Sequence, residues 1–432
     1  MPFPLNPFRG LPNGREVWAW GMYDLANQSF QLLINTLLFS LFVANVIAPS
    51  RQAGLAMWSR MGALAMILVV LLSPIAGALA DQRAWKRKML LTTGVISSAL
   101  IATLALLQPG QIGLTWALYL TAAVACGLGE NFLGSFLPEI STVKNIGRVS
   151  AIGWTMSYVG AVLLLGITAI YAFVLERPDI AQARPMFVFS GLWFAAGILP
   201  AFFLLREKTR PQPGRAGTAI AAAFVRLAES ARQSARYRQL VRFFLAFFVY
   251  SMGVMTMVYF LGLIGDRLGF QLPRLIVLAL IIAVTAGAAA AIVARVQDRV
   301  GHKRTIAAFL LAWIVATLAM AGAELLAVPA AAYWVVAALI GVALGGVGTA
   351  SRAMVGAFTP PQRAGEFFGL WGMVYKLGGI AGVLAFGFLA AKLGQPIALL
   401  IVAAWFVAGL LLLLRVDERE GVTAAESALD AR

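Results

Sequence analysis

Residues 23–35, YDLANQSFQLLIN, carry five polar side chains within an otherwise apolar stretch. These are Asp24, Asn27, Gln28, Gln31 and Asn35. Their spacing of i, i+3, i+4, i+7 and i+11 places them on one face of a helix. A carboxylate inside a membrane costs on the order of 3 kcal/mol or more, so this face is expected to look at something other than lipid. Side chains of these types can bind a polar solute or carry a proton, which predicts a pathway through the membrane.

Further polar residues lie in apolar stretches elsewhere in the chain. Glu130 and Asn131 follow one another in the first half, while Arg352 and Lys376 lie in the second half. The first half therefore supplies carboxylates and the second half supplies cations. This distribution suits a cargo with both charges, because Arg grips a carboxylate through two hydrogen bonds. The amine would then be received by Asp24 or by side-chain carbonyls of the first-half stripe.

The two intramembrane carboxylates allow more than one role. We expect Glu130 to carry the coupling proton and Asp24 to act as a gate or co-carrier. Alternatively, either carboxylate is held in a fixed buried pair with Arg or Lys and takes no part in transport. A third interpretation treats the two as the acid and base of a membrane-embedded enzyme, although no second catalytic element accompanies them.

The composition predicts an all-α membrane protein. Hydrophobic residues make up 61% of the 432 residues and charged residues 12%, against roughly 25% charged in soluble chains. Twelve continuous apolar runs are each long enough to cross a bilayer. The predicted spans are 17–47, 57–80, 88–108, 112–137, 149–175, 185–205, 241–265, 273–297, 304–323, 330–357, 365–392 and 396–415. No Walker loop or metal-ligand cluster is visible, so the sequence predicts no cofactor and no ATP-driven pump.

The formal net charge of +16 follows from basic loops between alternate spans, at 81–88, 139–148, 206–240 and 298–304. The positive-inside rule then places these loops and both termini in the cytoplasm. We expect a monomer in a bacterial inner membrane, with the first apolar run retained. Residues 206–240 are predicted to form a basic linker whose helix lies on the anionic inner leaflet, or a solvated linker with no specific ligand.

Two motif pairs recur at the same separation of 217 residues. DQRAWKR from Asp81 matches DRVGHKR from Asp298, and WTMSY matches WGMVY. The second pair equates two aromatic positions in each half: Trp154 with Trp371, and Tyr158 with Tyr375. One common offset for unrelated motifs predicts a duplicated six-helix unit with a site between the halves. The predicted domains are 1–205, 206–240 and 241–432. These aromatic residues are expected either to line the substrate pathway or to pack between helices.

The first motif pair carries a resemblance to a known superfamily. The loop between spans two and three resembles the major facilitator signature, which has the form G-x-x-x-D-[RK]-x-G-x-[RK]-[RK]. The fitting residues of the first copy are Gly77, Asp81, Lys86 and Arg87, whereas Gln82 and Ala84 depart from it. The fitting residues of the second copy are Asp298, Arg299, Gly301, Lys303 and Arg304, with Ala294 in place of the leading glycine.

The resemblance implies two pseudo-symmetric bundles and transport by alternating access. It also implies that Asp81 and Asp298 latch the outward-facing state, the alternative being ordinary topogenic charge. YDLANQSF (23–30), FLGSFLPEI (132–140) and GRVSAIGWTMSYVGAVLLL (147–165) are similar to the autophagy-related vacuolar amino-acid effluxer branch and its bacterial relatives. We therefore expect a proton-coupled transporter of an amino acid or other zwitterion. The alternatives are an organic-anion or drug efflux carrier of the same fold, or a non-transporting receptor or membrane enzyme.

Overall fold

A computed structural model describes residues 8–142, 145–174, 179–208, 237–326, 330–359 and 364–430, together with residues 225, 229 and 232. The helix predicted within 206–240 falls almost entirely outside these residues. The described part of the chain folds into helices joined by turns, with no β-strand in it. This confirms the predicted all-α fold.

Twelve helices of the described chain are long and apolar enough to cross a membrane. In the first half they are α1 (Gly14–Ile47), α2 (Arg51–Arg83), α3 (Lys86–Thr103), α4 (Ile112–Ser135), α5 (Ile146–Val174) and α6 (Arg184–Leu204). In the second half they are α7 (Arg238–Tyr259), α8 (Leu272–Val300), α9 (His302–Leu326), α10 (Ala330–Ala357), α11 (Ala364–Leu393) and α12 (Gln395–Leu414). A further helix, α13 (Glu418–Asp430), follows them.

The two largest differences from the predicted boundaries have local reasons. Helix α2 starts six residues before the predicted position 57, because the Ser50 hydroxyl accepts a hydrogen bond from Ala53 N and caps the first turn. Helix α7 ends at Tyr259, where Phe260 leaves the helical conformation, and a short helix, Leu261–Arg267, continues the chain. The apolar run continues through this break, so hydropathy alone did not reveal it.

Helix α1 is not a regular α-helix throughout. Residues Ser29–Leu38 and Val43–Ile47 are π-helical. A π-helix closes i→i+5 hydrogen bonds, and such segments are rare and frequent at functional sites. The wider turn rotates the later residues of the polar stripe relative to the earlier ones. An ideal α-helical spacing therefore does not describe where these side chains point.

The chain divides into two compact units. The first comprises Met1–Met57, Ile67–Ala223 and Gly269–Ile276, and the second comprises Trp58–Met66, Phe224–Leu268 and Val277–Arg432. Within the first unit, α1 packs against α5 and α6, and α3 packs against α4 and α6. Within the second unit, α7 packs against α11 and α12, and α9 packs against α10 and α12. The internal packing of one unit is thus repeated six helices later, which supports the duplication inferred from the sequence.

A carboxylate cap also recurs in both units. The Glu207 carboxylate accepts hydrogen bonds from the first two backbone amides of α3, those of Lys86 and Arg87, both at 3.0 Å. The Glu418 carboxylate accepts from the first two amides of α9, those of His302 and Lys303, at 2.8 and 3.0 Å. The first amides of a helix lack intrahelical partners and carry partial positive charge, so a carboxylate is favourable there.

Candidate functional site

Glu130 on α4 is the centre of a hydrogen-bond network with α1. One arm of this network starts at Tyr119, whose hydroxyl donates to Asn35 Oδ1 at 2.9 Å. Asn35 Nδ2 donates to Gln31 Oε1 at 3.2 Å, and Gln31 Nε2 donates to Glu130 Oε1 at 2.5 Å. Tyr119, Asn35 and Gln31 are thereby oriented in series, and each donates a hydrogen bond to the next residue in the direction of the carboxylate.

A second arm reaches the same oxygen from the other direction. The Cys126 thiol donates to Asn27 Oδ1 at 2.9 Å, and Asn27 Nδ2 donates to Glu130 Oε1 at 2.8 Å. Asn27 and Cys126 are both buried, with 2% and 1% of their surfaces exposed. Because the thiol occupies the amide oxygen, the amide nitrogen is left to face Glu130.

The two arms give the two oxygens of Glu130 different surroundings. Oε1 accepts two amide hydrogen bonds, whereas within the described chain Oε2 accepts none. Hydrogen bonds to a charged group contribute roughly 1.5–3 kcal/mol each, so the arms fix the carboxylate in place. Oε2 is therefore the oxygen left to receive a proton or a cationic group.

The remaining residues of the α1 stripe face a different neighbour. Gln28 Nε2 donates to Ser157 Oγ of α5 at 2.6 Å. Asp24 also lies towards α5, since a Cβ added to Gly153 would come within 3.6 Å of Asp24 Oδ2. The predicted single face is consequently divided, with Asp24 and Gln28 towards α5, and Asn27 and Gln31 towards α4. All four are half-buried or buried.

Asn131 follows Glu130 in sequence but lies apart from the network. Its Nδ2 donates to Ser73 Oγ of α2 at 2.6 Å. Together with Gly77 and Lys86, these residues line a separate cavity of about 180 Å³. Consecutive helical residues point in different directions, so adjacency in sequence did not place Asn131 beside the carboxylate's partners.

The repeated aromatic pairs have different surroundings in the two units. Trp371 and Tyr375 both stack on Phe247, with centroid distances of 5.4 and 5.9 Å. The rings of Trp154 and Tyr158 lie 6.2 Å apart, and Trp154 is 50% exposed. The packing interpretation therefore suits Trp371 and Tyr375, whereas Trp154 presents an accessible ring.

The intramembrane cations lie in the second unit. Arg352 on α10 and Lys376 on α11 are both half-buried. Beside Arg352, the buried hydroxyls of Ser351 and Tyr250 share a hydrogen bond of 2.7 Å. This hydrogen bond joins α10 to α7. Their part in binding a solute remains a prediction.

The signature lysines form contacts within their own units. Lys86 forms an ion pair with Glu139 at 3.1 Å, and Lys303 Nζ donates to the carbonyls of Leu414 and Val416. Arg299 and Arg304 are exposed. Asp81 and Asp298 lie at the ends of α2 and α8, but their side chains fall outside the described part of the structure. Their latch role stays a prediction.

Sequence reasoning missed several members of these networks. Tyr119 and Cys126 precede Glu130 by eleven and four residues, a spacing that places all three on one face of α4. This stripe could have been paired with the α1 stripe from sequence. The roles of Glu207 and Glu418 could not, because each lies far along the chain from the helix that it caps.

The fold and the site define a class of protein. The described chain has twelve helices able to cross a membrane, in two similarly packed units. Polar side chains form hydrogen-bond networks between these helices. These features are characteristic of a secondary transporter. Residues 51–426 match the family described as "Vacuole effluxer Atg22 like", and the chain belongs to this family.

Individual relatives agree with this assignment. The chain is 24% identical over 427 residues to the "Uncharacterized MFS-type transporter YxiO" of Bacillus subtilis (strain 168), covering 95% of this chain and 97% of that protein. Its fold is similar to a D-xylose-proton symporter, with a TM-score of 0.74, 14% identity and coverage of 94% and 98%. It is also similar to the human organic anion transporter MFSD10 (TETRAN), with a TM-score of 0.65, 17% identity and coverage of 93% and 99%.

These comparisons confirm the major facilitator resemblance. The protein is an integral, multi-pass membrane transporter of this type and not an enzyme.

Proposed function

We propose that the protein is a proton-coupled secondary transporter of an amino acid or similar small zwitterion, with Glu130 as the proton carrier. The observation that carries this proposal is the asymmetry of the Glu130 carboxylate, in which Oε1 holds two amide donors and Oε2 holds none from the described residues. A proton on Oε2 leaves Oε1 able to accept both amides. Protonation then changes the charge of the site without breaking the network that positions it.

The cargo amine is assigned to Asp24. Sequence reasoning offered the Asn27 and Gln31 carbonyls as alternatives, but these oxygens already accept hydrogen bonds from Cys126 and Asn35. Asp24 lies on α1, the helix that supplies Glu130's amide partners, but it faces α5 instead of α4. Separate residues for amine and proton allow both to be bound in one transport cycle. Arg352 and Lys376 are proposed to bind the cargo carboxylate.

Transport by the purified protein in liposomes tests this proposal. A panel of radiolabelled amino acids, dicarboxylates and lipophilic cations should be offered under an imposed pH gradient. We expect accumulation of a zwitterion that collapses when a protonophore is added. Accumulation of a simple anion, without competition by amino acids, would favour the organic-anion carrier instead. Gradient-independent equilibration of the cargo would contradict proton coupling.

The orientation is proposed from the basic loops. Residues 81–88 and 298–304 are rich in Lys and Arg, which favours a cytoplasmic location in a bacterial inner membrane with both termini inside. Labelling of Lys88→Cys and Gln111→Cys in intact cells with a membrane-impermeant thiol reagent would test this. The proposed orientation predicts labelling at position 111 and none at position 88. Labelling at position 88 would contradict it.

A further inference from the structure

Two basic side chains contact the ring of Trp85, in the turn that joins α2 to α3. The Arg83 guanidinium lies 4.6 Å from the centre of the Trp85 ring, and Lys88 Nζ lies 4.6 Å from the same ring. Arg83 and Lys88 are both exposed, and neither forms an ion pair with a carboxylate among the described residues. Two cations on one indole repel each other, so an anion that contacts both would be favourable.

Two acidic residues near the cluster, Glu139 and Glu207, already have partners within the described chain. Glu139 pairs with Lys86, and Glu207 accepts the amides of Lys86 and Arg87. The positive charge of Arg83 and Lys88 is therefore not neutralised by these two carboxylates. The cluster also lies where a headgroup would be, since the span of α2 ends at Ala80 and the next begins at Lys86.

Exposed aromatic side chains lie at the end of α6, which contacts the start of α3. Phe202 and Phe203, in the last turns of α6, are 51% and 72% exposed. The Arg87 guanidinium lies 5.7 Å from the Phe202 ring and donates to the Phe202 carbonyl, which joins this end of α6 to the start of α3. Exposed apolar surface is thus joined to the first turn of α3, the helix that carries Lys88.

The duplicated loop has other residues at the positions of the cluster. At the separation of 217 residues, Lys86 and Arg87 correspond to Lys303 and Arg304. The three members of the cluster, however, correspond to Val300, His302 and Thr305. The cluster is therefore an addition to the first copy alone, superimposed on a turn that both copies share.

We propose that Arg83, Trp85 and Lys88 bind the phosphate of an anionic phospholipid, whose acyl chains lie against Phe202 and Phe203. The cations supply the charge, and Trp85 is a residue type favoured at headgroup depth. This site differs from the solute pathway and from the predicted surface helix in 206–240. It would make the stability of the transporter depend on the headgroup composition of its membrane.

Lipid titration of the purified full-length protein in detergent tests the site. Phosphatidylglycerol should raise the melting temperature and remain bound in native mass spectrometry, and phosphatidylcholine with the same acyl chains should do neither. The double variant Arg83→Gln/Lys88→Gln should weaken phosphatidylglycerol binding roughly 25-fold, about fivefold for each basic residue. Trp85→Leu should also weaken it. The conservative Arg83→Lys/Lys88→Arg variant should retain binding, and lipid-free melting temperatures check folding.

The matched control is Arg299→Gln/Arg304→Gln, which removes two exposed charges from the duplicated loop. It should retain phosphatidylglycerol as the unmodified protein does. Equal binding by the Arg83→Gln/Lys88→Gln variant and the unmodified protein would overturn the proposal. Equal losses of phosphatidylglycerol binding in the two double variants would also overturn it, because binding would then depend on total surface charge and not on this cluster. Equal stabilisation by glycerol phosphate would also overturn it, because the site would then bind a soluble anion.

Discussion

Ala84 and Gly301 occupy the same position of the two repeats, and both have positive φ, at 53° and 94°. Among the described residues that are not glycine, Ala84 alone has a positive φ. The left-handed conformation costs an L-residue with a Cβ about 1–2 kcal/mol. The first copy of the signature therefore retains the backbone of the turn after losing the glycine that suits it.

Ala84→Gly should consequently stabilise the protein by up to about 1 kcal/mol, because relief of this strain outweighs the entropy cost of glycine. Gly301→Ala should have the opposite effect, since an added Cβ would lie 3.3 Å from Glu418 Oε2 in addition to the strain. Equilibrium unfolding in mixed micelles would measure both changes. A loss of stability in Ala84→Gly would contradict this account of the turn.

Removal of either carboxylate cap should destabilise the helix that it caps. Glu207→Ala and Glu418→Ala should each lower the free energy of unfolding by about 1–2 kcal/mol, because two amides lose their acceptor in each case. Glu207→Gln should cost less, since one acceptor oxygen remains. Thermal unfolding of the purified variants would measure these changes. If Glu207→Ala were neutral, the cap would be a contact without energetic consequence.

Tyr119→Phe should impair proton-driven uptake although Tyr119 does not touch Glu130. Loss of the hydroxyl frees Asn35 to turn, and the ordered orientation of Gln31 is lost with it. A hydrogen bond contributes about 1 kcal/mol, so the rate should fall roughly fivefold. Tyr171→Phe is the matched control, because its hydroxyl donates to Gln182 O outside the network. Equal rates in the two variants would show that the outer arm is dispensable.

The charges of the cargo should be separable by substitution. Lys376→Met or Arg352→Met should weaken binding of a zwitterion or an anion alike, because both cargoes carry a carboxylate. Asp24→Asn should weaken binding of the zwitterion only. Calorimetric titration of the purified variants would give the affinities. If neither cation affects any bound solute, Arg352 and Lys376 stabilise the helices and do not contact cargo.

The sequence predicted those features that depend on local composition or on repetition. Apolar run length located the twelve spans, and the residues of the α1 stripe are buried or half-buried, although they divide between two neighbouring helices. The sequence did not predict the π-helical segments; the longer of these, Ser29–Leu38, packs against α5 and α6, which are distant in sequence. It also did not predict that Asn131 turns towards Ser73, nor that Glu207 and Glu418 cap distant helices.

Accumulation of cargo by Glu130→Gln in proteoliposomes tests the central claim most directly. Uptake driven by an imposed pH gradient should be compared with exchange of labelled for unlabelled cargo at equal pH on both sides. We predict that Glu130→Gln abolishes pH-driven accumulation but retains exchange, because the amide keeps an oxygen for Asn27 and Gln31 yet carries no proton. Glu130→Asp should retain part of the accumulation. Unchanged pH-driven accumulation in Glu130→Gln would contradict the account and leave Glu130 as a packing residue.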